Sequence, residues 1–225
     1  MAAASIEIVR TYVGRPAPLG DPRYGVVSGI AKTPADPDAV LRLTRLNLDG
    51  DDQADRTVHG GLDKAVYVHP SENLPVWADE LGQPELASPP LPVAAFGENV
   101  STRGVTESSV AVGDVWGWGS AQLQICQPRW PCQKLTLHRM SRHVGSIMRA
   151  SGRTGWYLRV LVPGEVPAGG PITVLERHPA GVTIAEANQA MLDRDLIDVA
   201  LVERVAALVD VLAEEWLDPL LDRLS

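Results

Sequence analysis

The sequence predicts a mainly β protein with some helix, a curved and closed β-barrel followed by a small helical extension. Three observations carry this expectation. Up to Arg177 the apolar residues fall in short segments, several of them alternating, and Gly or Pro bounds nearly every one, as expected where a sheet turns sharply. Within that region helical signals are confined to two stretches. After His178 the apolar residues recur at spacings of three and four, the mark of amphipathic helices.

In chain order, extended segments are expected at residues 5–13, 24–31, 39–48 and 64–69. Residues 71–81 form the first expected helix, with Ser71 as N-cap and Gly82 as stop. Pro84, Pro89, Pro90 and Pro92 make 83–92 an irregular excursion, because proline donates no backbone hydrogen bond. Strands follow at 108–116 and 121–127, then a helix at 135–150, then strands at 154–162 and 171–177.

Thr183-Ile-Ala-Glu186 is a capping box that starts a helix, since hydroxyl and carboxylate reciprocally satisfy orphan N–H groups. A second helix is expected along Val199, Val202, Val205, Ala206 and Val209, and a third along Trp216, Leu217, Leu220, Leu221 and Leu224, which Pro219 begins or bends. Helices this short do not stabilise themselves, so they are expected to pack on the barrel or on a partner subunit. The expected division is 1–177 for the barrel domain and 178–225 for the helical extension.

A chain of 225 residues allows one large domain or one domain with an appendage. With 45% hydrophobic and 21% charged residues it buries a core and is not generally disordered. The net charge of −8, from 28 acidic against 20 basic residues, disfavours nucleic acid and anionic lipid as partners. No apolar run reaches the roughly 18 residues that span a bilayer, and the first residues carry no signal-peptide pattern, so a cytoplasmic location is expected. The two cysteines, Cys126 and Cys132, are expected to be free thiols and are too few for an iron–sulfur cluster.

Chemistry concentrates in three places. In Gln127-Pro-Arg-Trp-Pro-Cys132, two prolines stiffen a loop at a strand end, and Arg129 favours the thiolate, the form that binds metals or attacks electrophiles. The alternative for Cys132, and the favoured one for Cys126, is a buried small residue.

Asp49-Gly-Asp-Asp-Gln-Ala-Asp-Arg-Thr-Val-His-Gly-Gly61 carries four carboxylates in seven residues. Ala54 and Gly60 stand where a calcium loop of the EF-hand type needs Gly and Glu, which disfavours calcium. The His-Gly-Gly run has no Gly-x-Ser-x-Gly to serve, so a serine hydrolase lacks its nucleophile. Gly60 and Gly61 let the backbone approach an anion near Arg56, His59 and Lys64, with a solvated turn as the alternative.

The third place is Phe96-Gly-Glu-Asn-Val-Ser-Thr102. Without a secretory signal its glycosylation pattern is idle, and Asn99, Ser101 and Thr102 suit the polar edge of a heterocycle or a phosphate. His138 and His143 lie five apart and share no helix face, so no zinc site is assigned.

Taken together, Ser28-Gly-Ile-Ala-Lys32, Asp49-Gly-Asp-Asp-Gln-Ala-Asp55, Val58-His-Gly-Gly61, Ala95-Phe-Gly-Glu-Asn99, Gly113-Asp114 and Gln127-Pro-Arg-Trp-Pro-Cys-Gln-Lys-Leu135 resemble the MOSC-domain proteins. Within that family they look like the bacterial YiiM-like type associated with resistance to hydroxylaminopurine. Leu62 departs from a frequent Pro, and Trp130 from a smaller residue. Trp130 either packs structurally or serves the site by stacking on the pterin or narrowing the substrate mouth.

The resemblance implies a MOSC β-barrel that binds the molybdenum cofactor (Mo-molybdopterin), with Cys132 as the protein ligand to molybdenum. Lys32, His59, Asn99, Arg56, Ser101, Lys64 and Arg129 are the implied anchors for its phosphate and pterin. The implied activity is a molybdenum-dependent oxidoreductase that detoxifies N-hydroxylaminopurine and related hydroxylamines, R–NHOH plus two electrons and two protons giving R–NH2 and water. His59 is the implied proton source. Electrons would come from a separate flavin- or iron–sulfur-containing protein, because the chain lacks a dinucleotide fingerprint and cluster ligands. Pyridoxal phosphate is not required, and the chain is expected to be a monomer or homodimer. Two other readings stand beside this one: a carrier of the cofactor or of sulfur without turnover, and a metal-free thiol hydrolase using Cys132 with His59 or His69 as base.

Overall fold

Alternation along β1 (Ser5–Val13) buries Ile6 and Ile8 and exposes Ser5 and Glu7, until a bulge after Ile8 shifts the pattern and buries Thr11 and Tyr12 together. The computed structural model describes residues 5–55, 60–192 and 198–224. Short ladders follow: β2 (Ala17–Pro18) with β3 (Val27–Ser28), and β4 (Thr33–Pro34) against the end of β1. Next come β5 (Val40–Leu43), β6 (Val66–Pro70), α1 (Leu74–Leu81), β7 (Val100–Arg103), β8 (Val115–Trp118) and β9 (Ala121–Pro128). Two helices, α2 (Gln133–Arg139) and α3 (Val144–Ser151), precede β10 (Trp156–Val162), β11 (Gly164–Pro167) and β12 (Pro171–Glu176).

Among the described residues, seven strands close a barrel in the order β12-β8-β9-β10-β6-β7-β1, with β1 pairing back onto β12. Closure leaves these strands no open edge. The β6–β7 pair alone in this ring is parallel, so the chain must cross over between them, and it does so through α1 and the proline-rich excursion. Ile6, Val66, Val100, Trp116, Leu123, Ile125, Trp156 and Ile172 belong to the main core.

The same core continues into α4 (Ile184–Leu192), α5 (Val199–Ala206) and α6 (Glu214–Asp222), through Ile184, Val205, Trp216 and Leu220. Full burial of such side chains is worth roughly 1.5–3 kcal/mol each, which these short helices cannot obtain from one another alone. The helices therefore pack on the barrel. The capping box forms, with the Thr183 N–H donating to Glu186 Oε2 at 2.8 Å and the Glu186 N–H donating to Thr183 Oγ1 at 3.1 Å. Pro219 sits inside α6.

A second core of Tyr67, Leu74, Trp77, Phe96, Leu135 and Met148 joins α1, α2 and α3 to the barrel, and Cys132 packs at its edge. Several local expectations differ: the strand expected at 39–48 is β5 alone, Val40–Leu43, and the helix expected from Ser71 opens as a 3-10 turn, Ser71–Asn73, with α1 following from Leu74. The helix expected at 135–150 is two, because Met140 takes a left-handed conformation (φ 48°) that stops α2. The strand expected at 24–31 shrinks to two residues after a 3-10 turn and Gly25 at φ 61°. Residues 106–109 form a turn, so the strand expected from 108 begins only at Val115. The polar segment around Ser101 is itself strand β7, buried at Val100, Ser101 and Thr102.

Three loops meet at one buried carboxylate. Asp51 accepts the Lys32 ammonium through both oxygens at 2.6 Å, the Asn99 side-chain N–H at 2.9 Å and the Gly14 backbone N–H at 3.0 Å. Asn99 Oδ1 accepts the Tyr67 N–H at 3.1 Å, which ties the cluster to β6. The close approach needs glycine: a Cβ on Gly29 would stand 2.3 Å from the Asp52 carbonyl oxygen, and one on Gly97 would stand 2.7 Å from Ile30.

Removing one side of this pair leaves a buried ammonium without its counter-charge. Asp51→Ala should therefore cost roughly 3–5 kcal/mol in urea denaturation, and Lys32→Met with Asp51→Leu should recover most of it. His69 makes a second prediction. Burial holds its imidazole down at about 3 instead of 6.5. The unfolded chain thus takes up a proton below pH 6.5 that the native chain refuses until about pH 3, and stability falls on acidification across that window. At about 1.4 kcal/mol per unit, His69 accounts for roughly 2 kcal/mol lost at pH 5. His69→Phe, which keeps a ring against Phe96, should flatten the change between pH 7 and 5 by that amount.

Candidate functional site

After β9 the Arg129 N–H donates to the Gly155 carbonyl at 3.1 Å, which holds the chain to the start of β10. Trp130 and Pro131 then lead to Cys132, the extended N-cap residue of α2 (φ −119°, ψ 161°). Proline before and after Arg129 removes two backbone donors and fixes φ, so the thiol is presented by a stiff bend between a strand and a helix. Its side chain is half-buried, whereas Cys126 is fully buried, with its thiol on the Asp63 carbonyl at 3.1 Å and pushed up to about 12 by burial. Cys126 is thus a core residue.

Cys132 borders a cleft walled by Ser28 to Ile30 and Lys32, by Asp52 to Ala54, and by Phe96, Gly97 and Asn99. Lys64, Tyr67, Arg129, Lys134 and Tyr157 complete it. The cleft has about 560 Å³ of atom-free space, its mouth included, but room for whole waters amounts to only about 70 Å³.

Arg129 dominates the electrostatics. It is 4% exposed, and its guanidinium donates toward Met148 Sδ at 3.4 Å and Cys132 Sγ at 3.8 Å. Its carbon lies 5.3 Å from the centre of the Tyr67 ring. No carboxylate lies within ion-pair distance of it among the described residues. Tyr67, Tyr157, the Cys132 sulfur and the buried Glu98 carboxylate favour its charged form against the cost of burial, and its position beside a sulfur and a cleft suits an anionic ligand. Burial pushes the Tyr157 phenol up to about 12, which keeps it a hydrogen-bond donor at neutral pH.

The residues singled out in the sequence fare differently. Cys132, Arg129, Lys32, Asn99 and Lys64 line one cleft. Lys32 spends its ammonium on Asp51, and Lys64 reaches Glu215 at 2.7 Å. Ser101 is buried in β7 and does not line the cleft. Arg56 and His59 lie outside the described residues. His69 is buried against Phe96, does not line the cleft, and with its imidazole at about 3 is a poor general base at neutral pH. No cluster of three or more His, Cys, Asp or Glu suited to a metal ion occurs among the described residues.

Sequence reasoning missed Asp51 as the organiser, and it missed Lys134, Tyr67 and Tyr157 as walls. Lys134 follows Cys132 closely enough to be found. The tyrosines alternate like any strand residue and give no local signal.

The donor set fits the cofactor that the resemblance implies: a half-buried sulfur for a soft metal, with a buried guanidinium and two further lysines for phosphate or pterin. Among the described residues no helix is long and apolar enough to cross a membrane.

Comparison with known proteins agrees with this geometry. The MOSC domain matches residues 55–173. Protein YiiM of Escherichia coli is 43% identical over 164 residues, covering 72% of this chain and 70% of that protein. The crystal structure of YiiM from Geobacillus stearothermophilus superposes with a TM-score of 0.77 at 29% identity, over 98% of this chain and all of that one, 100%. A longer protein of Gibberella moniliformis named Reductase is 34% identical over 131 residues, 57% of this chain but 22% of its own length. The chain belongs to the MOSC-domain family, in its YiiM-like group.

Proposed function

We propose that this protein is a molybdenum-cofactor-dependent reductase of N-hydroxylated compounds, with Cys132 as the protein ligand to the metal. The observation that carries the reading is the buried Arg129 guanidinium, 3.8 Å from the Cys132 sulfur and without a carboxylate partner among the described residues. A buried guanidinium beside a thiol and a cleft suits an anionic ligand. The relative named Reductase supports a redox role for the group. The overall change is R–NHOH plus two electrons and two protons to R–NH2 and water.

When bound, the cofactor supplies two-electron chemistry at a metal held by sulfur. The chain's own residues supply the rest. Cys132 offers a soft thiolate from a stiff bend. Arg129 balances negative charge beside it and donates N–H groups, while Lys64 and Lys134 present ammonium groups from the walls. Asn99 and Lys32 hold the loops through Asp51. Tyr157, protonated up to about pH 12, orients a bound group and does not relay protons near neutrality. The chain carries no other redox group that its sequence reveals, so a separate electron-donor protein completes the cycle.

Two variants test this. Cys132→Ala, purified from a host that makes the cofactor, should retain at least about tenfold less molybdenum and lose reduction of hydroxylaminopurine by artificial donors. Wild-type protein that keeps molybdenum yet reduces no N-hydroxylated substrate would instead be a carrier. Arg129→Met should reduce molybdenum retention roughly 10- to 100-fold. Retention unchanged in Arg129→Met would remove the anchoring role.

A further inference from the structure

Between Asp114 and Glu165 the sequence holds no acidic residue, in a chain whose net charge is −8. The middle of that stretch is the hairpin of α2 and α3, with Lys134, Arg139, Arg142 and Arg149 on it and Arg153 just after it. Arg139 and Arg153 pair with Glu85 and Glu80 of the crossover segment. Among the described residues no carboxylate lies within ion-pair distance of Lys134, Arg142 or Arg149. Lys134 borders the cleft, and Arg142 and Arg149 are exposed. The same hairpin shows apolar side chains to water: Leu137 is 42% exposed and Met140, at its tip, 89% exposed. Met140 occupies a left-handed position that glycine takes without strain, so folding alone gives no reason for a long apolar side chain there. Both helices adjoin the site, since Cys132 caps α2 and Met148 of α3 receives the Arg129 guanidinium at 3.4 Å. Seven residues of α2 rise about 10 Å, which sets the separation of Met140 from Cys132.

Resting on the reductase reading above, we propose that the α2–α3 hairpin is the docking surface for the electron donor, and that the donor is an acidic protein with its flavin or iron–sulfur group near its own surface. An anionic donor is repelled by the acidic remainder of this molecule and attracted to a stretch free of acid, so long-range charge turns it toward the hairpin before contact. Leu137 and Met140 supply the apolar centre of the contact, and Arg142 and Arg149 its cationic rim. A nucleic-acid duplex or an anionic bilayer extends beyond the hairpin and meets the acidic remainder, whereas a donor of modest size does not. Each turnover oxidises the donor by two electrons, which R–NHOH takes with two protons from solvent to give R–NH2 and water. Met140, Arg142 and Arg149 are docking residues and touch no substrate.

The test titrates the full-length protein by calorimetry with two acidic probes, a flavodoxin and a plant-type ferredoxin, at low salt and at about tenfold higher salt. The wild type should bind at least one of them, and roughly tenfold more weakly at the higher salt. Arg142→Glu combined with Arg149→Glu, both at exposed positions that spare folding, should weaken binding roughly tenfold or more and flatten its salt dependence. Met140→Gly, which suits the left-handed backbone, should weaken it about threefold to fivefold. Neither variant should change hydroxylaminopurine reduction by dithionite-reduced viologen, a small donor that needs no docking surface. Failure of both probes to bind the wild type, unchanged affinity in the charge-reversed variant, or tighter binding of a DNA duplex or of phosphatidylserine vesicles than of either probe overturns the proposal. Failure of the reductase reading looks different: protein that holds no molybdenum and reduces nothing with viologen, yet binds a probe through Arg142 and Arg149, keeps the surface and loses the reaction.

Discussion

The buried carboxylate of Asp51 is the point on which the site depends. It gathers an ammonium from one loop, an amide from a second and a backbone N–H from the end of β1. A carboxylate with that many donors is stable inside the protein, and each donor in turn holds a different segment still. Gly29 and Gly97 allow the three loops to come this close. The cleft is therefore built on a charge compensated from within the chain.

Arg129 and Asp51 illustrate opposite uses of burial. Around Asp51 every charge is matched, and the result is rigidity. Around Arg129 the partners are two sulfurs, the Tyr67 ring and the Tyr157 hydroxyl, with the buried Glu98 carboxylate acting on it from beyond ion-pair distance. Tyr67 and Met148, both in the second core, hold its guanidinium in the interior.

The helical extension adds more than area. Its core residues continue the barrel interior, and the Ala213 N–H donates to the Cys126 carbonyl at 3.0 Å, which seats the start of α6 on β9. Because Cys132 follows shortly after that same strand, Glu215 and Trp216 arrive beside it as a consequence of core packing. A bend in β9 or a loss of Leu220 packing would displace the pocket wall along with the helix.

Local chemistry in the sequence was enough to determine strands β1, β9, β10 and β12, the capped start of α4, and a stiff, strand-end setting for Cys132, since alternation, capping and proline restraint act within a few residues. The motif set also determined the family. What tertiary structure alone decided are the contacts between distant positions: Asp51 with Asn99, 48 residues apart, and Lys64 with Glu215, 151 apart. It also decided that polar Ser101 lies in a buried strand and that α6 walls a cavity at Cys132. Periodicity reports which face of an element is buried and not against what, so partners chosen by barrel closure leave no trace in the segments that they join.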